Sequence, residues 1–414
     1  MVEFITVVYL IYSFIAFYFL FLFLLIYFQN KQEFFSYPKP DRDYELTMVI
    51  PCYNGEGAIG GTIQGLVDAG YRGLKKIIVV DDCSKDNSYK IMKEYEKKYP
   101  ELVKVVQTPK NTGNAAGAKN YGAKFADTEL IGFTDDDSFI EKGSIDKMVG
   151  FFNDEKVGSV TCSVLVHNRK KFIEKLQSIE YKVIKFSRKL LEFVDSIYVT
   201  PGPLGIFRKS AFDKVGGFDV NNLAEDIEIT WHLQAEGYKV KMSVPARAYS
   251  VAPSKINAWV KQRNRWNIGG LQTISKYNND WFRKGMLGNF ILPFFVFSWV
   301  VGLFGLGVFV YRILRLTILN FVSTKLSVEA QTAVLRFSDI NLVPNVLIFL
   351  GVTVFFLSFT YTIMALLNMS EKSHYRRENF FTVGFYMLFY LLAYPIILII
   401  SGYKFLKGDR KWGR

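Results

Sequence analysis

The sequence predicts a mostly parallel, doubly wound α/β domain inserted between the transmembrane helices of an integral membrane protein. Three observations predict it. Four apolar runs, Phe4–Phe28, Phe290–Val310, Leu342–Leu367 and Phe380–Tyr403, read as candidate spans. The first is uncharged, and at about 1.5 Å per residue it can cross a hydrocarbon core of roughly 30 Å. Between the first run and the other three lies a polar stretch of mixed pattern, about Asp41–Asn289, in which short apolar runs alternate with helix-spaced segments. Composition agrees: 50% apolar and 16% aromatic is too apolar for a soluble enzyme, and 21% charged is too polar for a pure membrane bundle.

The formal net charge of +13 marks cytoplasmic faces and contact with anionic membrane lipid. It does not mark nucleic acid, because no zinc-ligand spacing or basic region with heptads accompanies it. Cys52, Cys83 and Cys162 form no CxxC pair and fit a reducing compartment rather than a disulfide framework. Three histidines offer no evident metal site.

Taken in order, residues 1–40 carry an N-terminal anchor. A cleaved leader would need a basic start, a shorter core and a small-residue cleavage site, and none is present. Lys31 after the run places the following domain, 41–255, in the cytoplasm. In it "LTMVIP", "KKIIVV", "LVKVVQ" and "LIGFT" read as buried strands. Ala58–Ala69, Asn87–Lys98 and Asn114–Ala126 read as the helices between them, with Asp86 capping the second. Such alternation implies a sheet that binds ligands beyond the carboxyl ends of its strands. Residues 256–289 read as interfacial helices and 290–414 as the C-terminal membrane region. The basic tail "GYKFLKGDRKWGR" asks to be cytoplasmic as well, and three spans between two cytoplasmic segments break parity. Either Tyr311–Phe321 adds a crossing or one candidate lies in the interface.

The acidic clusters fall at strand ends. Asp81 and Asp82 close the second strand, where they serve a ligand or a strand-ending turn equally well. Asp135, Asp136 and Asp137 close the fourth. Adjacent like charges are costly without a cation, so this position favours a hard divalent ion. "NTGNAAGAKNYG" opens a helix with small residues, for close ligand approach or for tight helix–sheet packing. The Gly/Pro-rich "TPGPLGIFRKSAFDKVGGFD" (Thr200–Asp219) shapes either a pocket wall or an ordinary loop. Glu225 and Asp226 begin a helix over Glu225–Ala235; helix-dipole complementarity accounts for them, and so does a general base. In "WVKQRNRWNIGG", Gln262, Arg265, Trp266 and Gly269 share one helical face, with Gly269 leaving room beside the indole. Trp259, Lys261 and Arg263 read as membrane-surface anchors.

The ordered set "VIPCYNGEGAI", "VVDDCS", "NTGNAAGAKN", "TDDD", "GIFRKSAF", "AEDIE" and "QRNRW" resembles the family-2 glycosyltransferases. It is most similar to the membrane-embedded processive group that makes cellulose, chitin, hyaluronan and poly-N-acetylglucosamine. The resemblance implies a GT-A nucleotide-sugar fold and an inverting transfer from a UDP-sugar to the hydroxyl of a growing polysaccharide at the cytoplasmic membrane face. It implies donor binding by Pro51, Tyr53, Asn54, Asp81, Asp82, Asn114, Lys119, Asp135, Asp136, Gln262, Arg265 and Trp266. It further implies Mg²⁺ or Mn²⁺ on Asp137, and Asp226 as base with Glu225 beside it. The alternatives are a single transfer to a polyprenyl-phosphate or glycolipid acceptor, and a non-enzymatic sensor of nucleotide sugars. A partner subunit or a homo-oligomer is compatible with the few spans.

Overall fold

The computed structural model describes residues 4–331, 346–369 and 379–408. Helix α1 (Phe4–Asn30) leads into strand β1 (Leu46–Cys52), α2 (Ile59–Asp68), β2 (Leu74–Asp81), α3 (Ser88–Lys98), β3 (Val103–Gln107), α4 (Ala115–Ala123) and β4 (Leu130–Phe133). These elements fall where the apolar runs and helical spacing predict them. Asp86 accepts the Ser88 amide at 3.0 Å and so holds the first turn of α3.

Strand β1 lies between β2 and β4 and is parallel to both, with β3 parallel on the far side of β2. Side chains alternate across this sheet, as a two-residue period requires. Met48, Ile50, Ile77 and Val79 pack with Ile59, Ile63, Leu66 and Met92 of α2 and α3. Val49, Ile78 and Val80 face Ala116, Ala118 and Ala123 of α4 on the other side. Burial on both faces is why these strands read as unbroken apolar runs. A Cβ at Gly122 would stand 2.5 Å from Val49 Cγ1 and 2.7 Å from Val80 Cγ2. The small residues of α4 therefore serve close helix–sheet packing.

The second half departs from a mostly parallel sheet. Strands β5 (Phe139–Ile140), β6 (Val157–Val166), β7 (Gly205–Arg208) and β8 (Lys239–Ser250) complete the order β3-β2-β1-β4-β7-β6-β8-β5. Three of the seven strand pairs among the described residues are antiparallel: β4–β7, β6–β7 and β5–β8. The cause is local. The Gly/Pro loop delivers the chain to the carboxyl edge of β4, where Gly205 pairs with Phe133, so β7 must run back down the sheet. The remaining helices of the domain are α5 (Asp146–Val149), α6 (Phe172–Glu192), α7 (Lys209–Lys214), α8 (Glu225–Ala235) and α9 (Ile256–Lys276). All three cysteines are free thiols.

Helices α10 (Leu292–Glu329) and α11 (Val346–Asn368) pack with α1. Phe19 meets Phe294 at 5.5 Å between ring centroids, Phe23 lies 6.2 Å from Tyr361, and Tyr27 donates to Asn368 at 2.9 Å. Residues 342–345 of the third candidate span lie outside the described residues. The 38 residues of α10 form one continuous helix, about 57 Å long at 1.5 Å per residue. Tyr311–Phe321 therefore extends this helix instead of adding a crossing.

The last apolar run behaves differently. Helix α12 (Phe380–Phe385), a π-helical turn at Tyr386–Tyr390 and α13 (Ala393–Leu406) are together long and apolar enough to span. Yet they lie along the soluble domain from end to end. Phe385 packs on Phe172 of α6 at 5.0 Å, and Tyr394 accepts from Arg263 of α9 at 3.0 Å. Ser401 donates to Asn264 at 2.7 Å, and Phe405 shares a cleft with Gln272 and Lys276. The opposite face exposes Ile396, Ile399, Ile400, Tyr403 and Leu406 in one stripe.

Candidate functional site

A cleft of about 750 Å³ opens over the carboxyl ends of β1 and β4, where the strand order reverses direction around β1. That is where an open α/β sheet leaves room for a ligand. Its lining gathers Pro51, Tyr53, Asn54, Asp82, Asn114, Lys119, Asp135, Asp136, Asp137, Glu225, Asp226, Gln262 and Arg265. These residues come from six separate stretches of sequence.

The β1 and β2 loops are tied together. Asn54 sits at φ 53°, a left-handed conformation that Asn tolerates, and its side chain accepts the Lys85 amide at 2.8 Å. Asn114 caps α4 by accepting the Gly117 amide at 2.9 Å. The two aspartates of "VVDD" separate. Asp82 lines the cleft and is held by the amide and hydroxyl of Thr112 at 2.9 and 2.8 Å. Asp81 is fully buried away from it, accepting from Ser84 N at 3.1 Å and Gln107 Nε2 at 2.7 Å. Its environment is that of a strand-ending turn.

Three carboxylates follow β4. Asp136 tucks against Gly55, where a Cβ would stand 2.6 Å from its oxygen, and Gly202 of the Gly/Pro loop lies directly against Asp135. At Gly202 that loop is thus a wall of the cleft. Burial, then the charge of Asp135, pushes Asp136 up to about 6. Burial, then Asp135 and Asp136, pushes Asp137 up to about 7.

The opposite wall is organised by one buried cation. Lys119 of α4, 2% exposed, lies 3.0 Å from Glu225 and 3.4 Å from Asp135. Burial alone would lower its pKa, but Glu225 and Asp135 raise it above the ordinary lysine value. Glu225 in turn is held below the usual carboxylate range, because Lys119 and Arg265 outweigh its burial. The neighbouring Asp226 goes the other way. Burial and the adjacent Glu225 charge raise its pKa, against the pull of Arg265 and Lys119. Two carboxylates of the same helix turn are driven apart, one below and one above the usual carboxylate range.

Helix α9 closes the cleft with Gln262 and Arg265; Arg265 also donates to Leu223 O at 3.2 Å. Trp266 does not line the cleft and instead stacks on Arg263, whose guanidinium carbon lies 4.0 Å from the ring centroid. Gly269 makes no space for the indole. A Cβ there would collide with Ala224, so this glycine brings α9 onto the start of α8. The expected anchors split as well: Lys261 is exposed, whereas Trp259 and Arg263 are 4% and 1% exposed and packed within the protein. The sequence reading missed the Lys119–Glu225 pair, the contact of Gly202 with Asp135, and Ser250 and Val251 at the cleft rim. Only the Gly/Pro loop left a signal in the sequence.

Residues 47–216 match the family model described as "Glycosyl transferase family 2". The chain carries a family-2 glycosyltransferase domain. It is 28% identical over 286 residues to a poly-beta-1,6-N-acetyl-D-glucosamine synthase of Staphylococcus aureus (strain MSSA476), covering 67% of each chain. It is 28% identical over 385 residues to the probable glycosyltransferase YdaM of Bacillus subtilis (strain 168), covering 89% of this chain and 86% of that one. Among solved structures it is similar to the mannosyltransferase PcManGT from Pyrobaculum calidifontis in complex with GDP-Man and Mn²⁺. That likeness has a TM-score of 0.59 at 16% identity and covers 96% of this chain and 99% of the other. The shared architecture is the GT-A glycosyltransferase fold.

Proposed function

We propose that the chain transfers a sugar, with inversion at C1, from a UDP-sugar to a hydroxyl of a growing polysaccharide at the cytoplasmic face of the cell membrane. The observation that carries this reading is Asp226, a carboxylate of raised pKa in the same cleft as Arg265 and the acidic end of β4. In the proposed step the acceptor oxygen attacks C1 as Asp226 removes its proton, the C1–O bond to the diphosphate breaks, and UDP leaves. The Lys119–Glu225 pair keeps Glu225 ionised, so the proton has one destination. Arg265 offers the leaving diphosphate a fork of donors, a contribution typically of about 3 kcal/mol.

Asp135 and Asp137 suit a hard divalent ion such as Mg²⁺ or Mn²⁺, since both line the cleft with oxygen donors, and burial, then the charges of Asp135 and Asp136, push Asp137 up. Among the described residues no three His, Cys, Asp or Glu side chains converge as a ready-made cage. Such an ion would complete its shell from diphosphate oxygens and water, and when bound it would offset charge on the leaving group. Asp82, Asn54 and Tyr53 line the side of the cleft that suits the uridine.

The sidelong course of α12 and α13 supports a parity in which α1, α10 and α11 cross and the last helix lies in the interface. Three crossings enclose little space, which supports the second reading of one transfer to a lipid-linked acceptor unless a partner subunit completes a channel. The test uses purified full-length protein with UDP-glucose, UDP-N-acetylglucosamine, UDP-glucuronate and GDP-mannose, following nucleotide release and product size. A ladder supports polymer, and a single lipid-linked sugar supports the second reading. Asp226→Asn is expected to cut turnover about 10²- to 10⁴-fold, the usual span for a general base, while UDP still binds. Unchanged turnover would refute Asp226 as the base.

A further inference from the structure

The buried Arg263 sits beside the cleft without lining it. Its Nη2 reaches Glu180 of α6 at 2.5 Å, and both partners are nearly fully buried. Its Nε donates to Tyr394 at 3.0 Å, and Glu180 also accepts from Tyr390 at 2.7 Å. Its Nη1 donates to Gln262 Oε1 at 2.6 Å, and its flat face covers Trp266. Two of these neighbours belong to the motif helix. Two belong to the segment lying under it, and one to a second helix of the soluble domain.

We infer that Arg263 is a positioning residue that clamps Gln262 for the donor site, and that the terminal interfacial segment holds the clamp through Tyr390 and Tyr394. A guanidinium can only donate, so its contact settles the orientation of the Gln262 amide. The carbonyl oxygen is committed to Arg263, and the amide nitrogen is left to serve acceptor oxygens of whatever fills the cleft. A sugar hydroxyl or a phosphate oxygen is the matching chemistry, so this inference rests on the reading given under Proposed function. The clamp depends on bidentate geometry that a lysine cannot reproduce. Glu180 fixes one edge of the guanidinium and Tyr394 another, so the fork has one orientation. The terminal segment thereby has a role in the reaction besides attachment to lipid.

The experiment compares Arg263→Lys, Gln262→Ala and the double variant in full-length protein in lipid nanodiscs. UDP affinity is read by titration calorimetry, and kcat and KM by UDP release. Arg263→Lys is expected to lower kcat/KM about ten- to a hundredfold, as small misplacements of substrate-holding groups do. In the Gln262→Ala background the same change is expected to cost less than twofold, because the group it positions is gone. Tyr394→Phe, which keeps the ring and the charges, is expected to give a milder loss with the same dependence on Gln262. It carries the comparison if Arg263→Lys fails to fold. Additive losses, or a lower Tm with unchanged kinetics, would overturn the clamp. If the wild-type chain binds no UDP, the functional reading itself falls.

Discussion

At the scale of the residue, Glu225 and Asp226 carry the sharpest contrast. They are consecutive, share a helix turn and are both buried or half-buried, yet one is pulled below and the other pushed above the usual carboxylate range. The difference lies in Lys119, which reaches Glu225 at 3.0 Å. Only ionised Asp226 can accept a proton, so kcat/KM should fall as pH drops through its raised pKa. Glu225→Gln removes the repelling charge and leaves Lys119 less neutralised, and both effects favour the ionised form of Asp226. The acid limb of the kcat/KM profile is therefore expected to move to lower pH, by about one unit. The height of the profile will also drop, so the limb position is the quantity to compare. A limb that stays put or moves up would separate Asp226 from the proton transfer.

At the scale of the element, α9 shows what a sequence reveals and what it conceals. Period and spacing placed Gln262 and Arg265 on one face, and that face does meet the cleft. The strands and helices of the first half were legible for the same reason: both faces of the sheet are covered, so apolar runs and turn residues mark them out. Spacing did not disclose the partners of the opposite face. Arg263 looked like a headgroup ligand because a basic residue near an apolar run usually is one, and its partner Glu180 lies 83 residues away on α6. The antiparallel β7 was illegible for a like reason, since strand direction depends on where a long excursion returns. Gly269 is a further case. Its missing Cβ lets α9 rest on Ala224 at the start of the helix that bears Asp226. Gly269→Ala is expected to force these elements apart, lowering stability by roughly 1–3 kcal/mol despite the better helix propensity of alanine. Thermal unfolding of the purified variant checks this, and an unchanged or higher Tm would refute it.

At the scale of the whole molecule, the soluble domain and the apolar helices are joined through α6 and α9. Phe186 of α6 packs on Tyr27 and Tyr361 at 5.4 Å each, so α1 and α11 end on the same helix. On α9, Trp259 meets Tyr390 at 4.9 Å. A segment that crossed the bilayer would leave the domain after a turn or two. Here Phe381, Tyr390, Tyr394, Ser401 and Phe405 all touch it, and the stripe from Ile396 to Leu406 faces outward where lipid would be. On the proposed reading such a helix lies in the plane of the membrane surface and leaves position 407 on the same side as the α/β domain. Cys83, the one native thiol that is not buried, reports the side of the soluble domain. Lys407→Cys adds an exposed thiol just past α13. In sealed vesicles of either orientation, a membrane-impermeant maleimide is expected to label both positions together or neither. Labelling of position 407 from the side opposite to Cys83 would restore a fourth crossing and move the C-terminus across the membrane.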